Sequence, residues 1–120
     1  MITILPDNDY TNCPLVKGIY PANVFVLTAK DGDEYLGFGA VSIDDEFARI
    51  EDVITVPGME SLEHGIFKSV LNFVERRGIY DCFCDLDKPL MLKRLGFEMA
   101  ESENENLMYL NLKGYFEKHC

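Results

Sequence analysis

The feature that most constrains the fold of this chain is a change of hydrophobic period at Ser61. Before Ser61, apolar residues fall in short β-rich runs typical of strands. After it, they recur every three or four residues until Gly78, which is typical of a helix. A strand, a crossover helix and a strand normally form a right-handed parallel unit. The pattern therefore predicts a helix over 61–77 between parallel strands at 48–56 and 80–86.

The rest of the chain predicts further strands and one short helix. The pair Asp31-Gly32 favours a tight hairpin turn, so residues 23–56 are expected to form a three-stranded antiparallel meander. The stretch "KPLMLKRLGF" predicts a short helix that ends at Gly96. The predicted strands lie at 1–5, 23–29, 34–43, 48–56, 80–86, 97–101 and 107–112, and the acidic tip "ENEN" joins the last two. This order indicates an α+β fold with one mixed sheet, in a single domain over 1–120.

The charge and the cysteines limit the classes of partner. A net charge of -10 repels phosphate backbones and anionic lipids, so neither a nucleic acid nor a membrane is expected as a partner. No apolar run approaches the roughly 18 residues of a membrane span, and no export signal is recognisable. We therefore expect a soluble, cytoplasmic protein with free thiols at Cys13, Cys82, Cys84 and Cys120. The lone Cys-x-Cys pair provides two ligands, whereas a structural zinc site usually needs four, so no metal is predicted.

Four segments occur in an order that resembles the GNAT superfamily of acyl-CoA-dependent N-acyltransferases. They are "EYLGFGAVSI", "ARIEDVITVPG", "GIFKSVLNFVERRGI" and "MLKRLGFE", and the resemblance covers roughly residues 23–112. It implies a GNAT-like α+β fold. It also implies the transfer of an acetyl group from acetyl-CoA to an amine, carried either by a small molecule or by a protein.

The resemblance further implies a truncated N-terminal part. The family usually places two helices, which shape the acceptor pocket, between its first strand and the hairpin. The segment "PDNDYTNCPLVKGIYPAN" is too short for both. The acceptor side is therefore expected to be open or completed by another chain. Apolar sheet surface left uncovered in this way predicts a homodimer or other self-association.

By resemblance, acetyl-CoA is expected between the fourth and fifth strands, where they splay apart. Ile54, Thr55 and Val56 would then pair with its pantetheine arm. The start of the long helix would hold the pyrophosphate, because the first turn of a helix has unpaired N–H donors and the positive end of a dipole. The residues implied for this cradle are Leu62, Glu63, His64, Gly65, Ile66, Phe67 and Lys68.

The pyrophosphate loop departs from the family pattern. Only Gly65 of its two small residues is kept, and Phe67 places a ring where the second is expected. Glu60 and Glu63 place carboxylates where they would repel a pyrophosphate. The family's frequent general acid, a tyrosine, falls on Leu92. We therefore expect weak binding of acetyl-CoA. A catalytically degenerate GNAT-fold module for binding or assembly is the alternative function.

The candidate catalytic groups outside the loop are two carboxylates and three tyrosines. Glu51 or Asp52 would act as a general base on the attacking amine, directly or through a water. Alternatively they are charges on an edge or on a solvent face, because one of two neighbouring strand residues faces outward in any case. Asp52 is favoured of the two. The tyrosines that would replace the missing acid are Tyr80, Tyr109 and Tyr115.

Two further features leave alternatives open. His64 is either a base, a phosphate donor or a plain surface residue. The acidic run near the last hairpin is either a solvated surface or, if it borders the acceptor site, an attractor of cationic acceptors. It consists of Glu98, Glu101, Glu103 and Glu105.

Overall fold

A computed structural model of the protein describes residues 1–103 and 105–119. It contains a seven-stranded sheet in the order β1-β2-β3-β4-β5-β7-β6. The strands are β1 (Ile2–Pro6), β2 (Val24–Asp31), β3 (Glu34–Ile43), β4 (Phe47–Thr55), β5 (Asp81–Cys84), β6 (Glu98–Met99) and β7 (Met108–Asn111). Neighbouring strands run antiparallel except β4 and β5, which are parallel. The mixed sheet and its parallel unit therefore confirm the prediction from the sequence.

The helices differ from the prediction at their ends. They are α1 (Glu63–Arg76), α2 (Pro89–Leu95) and α3 (Tyr115–His119), with single 3₁₀ turns at Tyr10–Asn12 and Glu60–Leu62. The 3₁₀ turn before α1 takes up the first residues of the predicted helix 61–77. Gly78 follows α1 with a φ of 76°, a left-handed conformation that stops the helix. The short α3 was not predicted.

The last hairpin is shorter than the sequence indicated. The strand predicted at 97–101 is reduced to β6, which pairs with β7 only through Glu98 and Met99. Residue 104, within the predicted acidic tip, lies outside the described residues. None of the helices in the described residues has the length and apolar character needed to cross a membrane.

Helix α1 packs closely on one face of the sheet because β3 presents glycine there. A Cβ added at Gly39 would lie 2.8 Å from Ile66 Cγ2 and 2.9 Å from Val70 Cγ2, and one at Gly37 would lie 3.0 Å from Ile66 Cδ1. Side chains at these positions would push the helix away. The buried α1 residues are Ile66, Phe67, Val70, Leu71 and Val74.

The opposite face of the sheet is only partly covered. The segment 7–23 between β1 and β2 closes a second, smaller core over β2 and β3, which contains Cys13, Val16, Val26, Phe38 and Ala40. On β4, β5 and β7 the same face carries aromatic side chains, with Phe47 41% exposed. We call the group Phe47, Arg49, Phe83, Leu107 and Tyr109 the aromatic face. The shortness of the N-terminal segment thus leaves part of the sheet uncovered, as the sequence predicted.

Candidate functional site

A gap opens between β4 and β5. The two strands pair from Phe47↔Asp81 to Ile50↔Cys84 and then separate, although β4 remains paired with β3 as far as Thr55↔Gly37. Between 51 and 55, the edge of β4 that faces β5 therefore has no strand partner within the described residues. Backbone N–H and C=O groups on such an edge are free to pair with an extended ligand.

The residues implied for the pantetheine arm lie along this gap. Ile54 is 39% exposed, and Thr55 is the last residue of β4. Val56 follows directly and donates its N–H to the carbonyl of Leu36 at 2.9 Å. Ile54, Thr55 and Val56 are thus near the open edge, where an amide-rich chain would lie alongside β4.

The start of α1 lies beyond the end of β4. The N–H groups of Leu62 and Glu63 already donate to Met59 and Glu60 in the 3₁₀ turn. From the fourth residue of an α-helix onward, each N–H is bonded within the helix, which removes the backbone donors of Ile66, Phe67 and Lys68. This leaves the N–H groups of His64 and Gly65, in the first turn, as donors that the helix itself does not use.

The side chains at the start of α1 lie differently from what the sequence indicated. The ring of Phe67 is fully buried in the core, so it does not crowd the loop. Glu63 Oε2 lies 2.7 Å from Lys88 Nζ, and Glu60 Oε1 accepts from the N–H of Gly58 at 3.2 Å. The two carboxylates expected to repel a pyrophosphate are therefore both engaged within the protein.

Gly65, His64 and Lys68 also have defined surroundings. A Cβ added at Gly65 would meet Ile4 Cδ1 at 3.4 Å, so the absent side chain faces β1, which is a packing position. His64 is exposed on the surface. The ammonium of Lys68 lies 4.9 Å from the ring centroid of Tyr115, towards α3.

Glu51 and Asp52 line one cleft because of a β-bulge. Ala40 pairs with Asp52 and Val41 with Ile50, so Glu51 is an extra residue on β4. Both carboxylates consequently border a cavity of about 320 Å³ on the face opposite α1. The expectation that one of the two neighbours points away is wrong, because the bulge breaks the strand alternation. We call this cavity the acidic cleft; it is lined by Tyr20, Pro21, Asn23, Val24, Ser42, Glu51 and Asp52.

Tyr20 is the tyrosine that meets a candidate base. Its hydroxyl donates to Asp52 Oδ2 at 2.5 Å, and its own N–H donates to the hydroxyl of Tyr10 at 3.0 Å. Burial, followed by the hydrogen bond to Asp52, raises the pKa of Tyr20 well above its usual value. Ser42 Oγ donates to Glu51 Oε1 at 3.3 Å and holds the second carboxylate.

The three tyrosines proposed from the sequence lie elsewhere. Tyr115 donates to the carbonyl oxygen of Leu95 at 2.6 Å, and Tyr109 donates to Asp81 at 2.5 Å. Tyr80 is 40% exposed and lies just before β5. Leu92, at the family's tyrosine position, is fully buried. Tyr20 was missed because it lies in an irregular segment, 32 residues from Asp52; no motif marks it.

Three of the cysteines are buried in the two cores. Cys13, Cys82 and Cys84 are free thiols, and Cys120 lies outside the described residues. Burial raises the pKa of the Cys84 thiol to about 11. Within residues 1–103 and 105–119, no three His, Cys, Asp or Glu side chains are grouped as a metal site would require.

Comparison with known proteins identifies the fold. The ribosomal-protein-S18-alanine N-acetyltransferase from Escherichia coli matches with a TM-score of 0.72 and 11% identity, over 92% of this chain and 94% of that one. A GNAT family acetyltransferase from Elizabethkingia anophelis, solved with acetyl-CoA bound, matches with a TM-score of 0.67 and 14% identity, over 92% and 98%. The KacTA-DNA complex matches with a TM-score of 0.66 and 18% identity, over 99% and 98%. No family model and no curated protein matches the sequence.

Proposed function

Since the chain has the fold of the GNAT N-acetyltransferases, we propose that it transfers an acetyl group from acetyl-CoA to a primary amine. The observation that carries this proposal is that the β4–β5 gap and the acidic cleft meet on one stretch of β4. The gap opens after Ile50, and the next two residues, Glu51 and Asp52, line the cleft. An acyl donor lying in the gap would thus come close to a base and to a solvent-accessible cavity.

The residues of the gap fit acetyl-CoA. The open edge of β4 at 51–55 offers backbone partners to the amides of a pantetheine arm. The first turn of α1 offers helix N–H groups and the positive end of a dipole to a pyrophosphate. When bound there, acetyl-CoA supplies a thioester whose carbonyl carbon accepts the amine.

The protein's own groups would then handle the proton. Asp52 takes a proton from the attacking amine, and Glu51 is the second carboxylate of the cleft. Tyr20, which its raised pKa keeps protonated at neutral pH, holds Asp52 through their hydrogen bond. The two carboxylates favour acceptors that carry positive charge, whether these are small amines or amines on a protein.

The alternative function is a GNAT-fold module without catalysis. It is favoured by one observation, the buried Leu92 at the position of the family's frequent acid. The two functions are separated by a thermal-shift titration with acetyl-CoA, combined with an assay of thiol release over a panel of primary amines. A ligand at 100 times its Kd adds about 2.7 kcal/mol of stability. We expect both a shift and release of CoA. Absence of any shift at millimolar acetyl-CoA would favour the module.

We also propose that two copies associate through the aromatic face. The ring centroids of Phe47 and Phe83 lie 5.9 Å apart, and those of Phe83 and Tyr109 lie 5.2 Å apart, beside an apolar cavity of about 350 Å³. Arg49 of this face is paired with Asp85 within the chain, whereas Asp81 keeps its charge and accepts a hydrogen bond from Tyr109. Two molecules of charge -10 would repel each other least across a face built largely of apolar and aromatic side chains.

Sedimentation velocity tests this association. We expect a dimer for the native chain and a monomer for Phe47→Glu, which places a charge on the aromatic face. Leu5→Glu, at a side chain 60% exposed on β1, is the matched control and should remain dimeric. A native chain that is monomeric at high concentration would contradict the proposal. The three buried thiols favour a cytoplasmic location, which we propose as well.

A further inference from the structure

The two rims of the β4–β5 gap are joined by an ion pair. Glu63 is the first residue of α1, which follows β4, and Lys88 ends the connection that follows β5. Parallel strands end at the same edge of a sheet, so both connections leave from the same end of the gap. The 2.7 Å contact between Lys88 Nζ and Glu63 Oε2 therefore spans the gap at the start of α1.

The pair is partly sheltered from water. The side chain of Lys88 is 31% exposed and that of Glu63 is 17% exposed. Lys88 is followed by Pro89, which begins α2, and its own N–H donates to the carbonyl of Leu86 at 2.8 Å. The backbone of Lys88 is thus held in place, and its long side chain reaches from there to Glu63 at the edge of the solvent.

Few backbone donors remain for a diphosphate at the same place, since within the first turn of α1 only His64 and Gly65 have N–H groups that the helix itself does not use. The N–H groups of Leu62 and Glu63 are used in the 3₁₀ turn, and that of Gly58 is bonded to Glu60. A diphosphate at the start of α1 would need a cation to make up for these donors. Lys88 already contacts the first residue of the helix, so its ammonium group lies within reach of the anion.

We propose that Lys88 is a phosphate-binding residue of the acetyl-CoA site and that Glu63 holds it at the rim until the cofactor arrives. This inference rests on the proposed function. On binding, the ammonium group exchanges the carboxylate of Glu63 for a phosphate oxygen and remains paired in both states. Glu63 then competes with the ligand, so removing its charge should strengthen binding, whereas removing Lys88 should weaken it.

A purely structural pair would behave differently. A carboxylate in the first turn of a helix is stabilised by the helix dipole, so Glu63→Gln would lower the melting temperature in either case. Only if Glu63 competes with the ligand does Glu63→Gln also raise the affinity for a phosphate ligand. Affinity for CoA is therefore the readout that a structural role does not move.

The experiment measures binding of CoA and of pantetheine, which lacks the phosphates, by isothermal titration calorimetry. We expect Glu63→Gln to bind CoA about fivefold more tightly and Lys88→Gln about tenfold more weakly, with smaller effects at high salt. Pantetheine binding should not change. Glu75→Gln and Lys93→Gln make the same charge changes farther along α1 and α2 and should leave CoA affinity unchanged.

The outcomes separate this inference from the proposed function. If the native chain binds CoA but Glu63→Gln binds no more tightly, or Lys88→Gln binds equally well, the role of Lys88 is wrong and the acetyltransferase proposal stands. If the pantetheine affinity changes as much as that of CoA, the effect is not on the phosphates, and the inference also fails. If no variant binds CoA at millimolar concentration, both proposals fall. Circular dichroism melting curves establish that each variant is folded.

Discussion

The two halves of β4 differ in how the same strand is used. From Phe47 to Ile50 it is paired on both sides, and Ala48 and Ile50 are fully buried under the helices. From Glu51 to Thr55 it is paired with β3 alone, carries a bulge and has a partly exposed residue at Ile54. The first half holds the sheet together, whereas the second leaves backbone groups without a strand partner on one edge and places two carboxylates at a cleft. The proposed chemistry therefore lies where the strand contributes least to the core.

The largest effect that would test this division is on acetyl transfer. Asp52→Asn in the second half removes the proposed base and should lower the rate of transfer about 100-fold to 10,000-fold, measured as release of CoA thiol. The melting temperature should change little, because the residue lies at a cleft. A variant with the native rate would show that Asp52 is not the base and would leave Glu51 as the candidate.

A comparison of two isoleucines would test the structural side. Ile50→Ala leaves a cavity in the core and should destabilise the fold by about 2 to 5 kcal/mol, measured by urea denaturation. Ile54→Ala, four residues later at a side chain 39% exposed, should cost less than about 1 kcal/mol. Equal losses at both positions would mean that the second half of β4 is as much a part of the core as the first.

Tyr20→Phe should have a smaller, pH-dependent effect. Removing the hydrogen bond to Asp52 should cost about 1 kcal/mol at neutral pH. The pKa of Tyr20 is raised in the folded state, so its contribution is complete below the unfolded tyrosine pKa of about 10 and is lost as the pH rises above it. The free energy of unfolding, measured with urea, should therefore fall less between pH 8 and about pH 10.5 for the variant than for the native chain.

Tyr109 gives the matched control for the effect of Tyr20→Phe on acetyl transfer. Its pKa is raised first by the hydrogen bond to Asp81, away from the acidic cleft. Tyr109→Phe should leave acetyl transfer unchanged, whereas Tyr20→Phe should reduce it. Equal transfer rates in the native chain and in Tyr20→Phe would show that the hydroxyl of Tyr20 does not contribute to acetyl transfer.

The smallest expected effect is that of Ser42→Ala. Its single hydroxyl hydrogen is shared between Glu51 Oε1 at 3.3 Å and the carbonyl oxygen of Arg49 at 3.4 Å, both long contacts. The transfer rate should therefore fall by less than about threefold. A drop as large as that of Asp52→Asn would indicate that Glu51, held by Ser42, is the principal base.

Much of this architecture was predictable because it depends on local periodicity. The change of period at Ser61 predicted the long helix, and the strand runs on either side of it predicted the parallel pair β4 and β5. The carboxylates Glu51 and Asp52 were also singled out as candidates, because acidic residues within an otherwise apolar strand are conspicuous. The presence of both in one cleft was not predicted, since a bulge depends on how β3 and β4 pair rather than on either strand alone.

The sequence by itself determined the order of strands and helices, the glycines that let α1 approach β3, and the short N-terminal segment. These follow from side-chain period and size, which act between near neighbours. Only the tertiary structure decided that Tyr20 meets Asp52 and that Lys88 meets Glu63. These contacts join residues 32 and 25 positions apart, respectively, so their partners depend on how distant loops pack together, which no local pattern records.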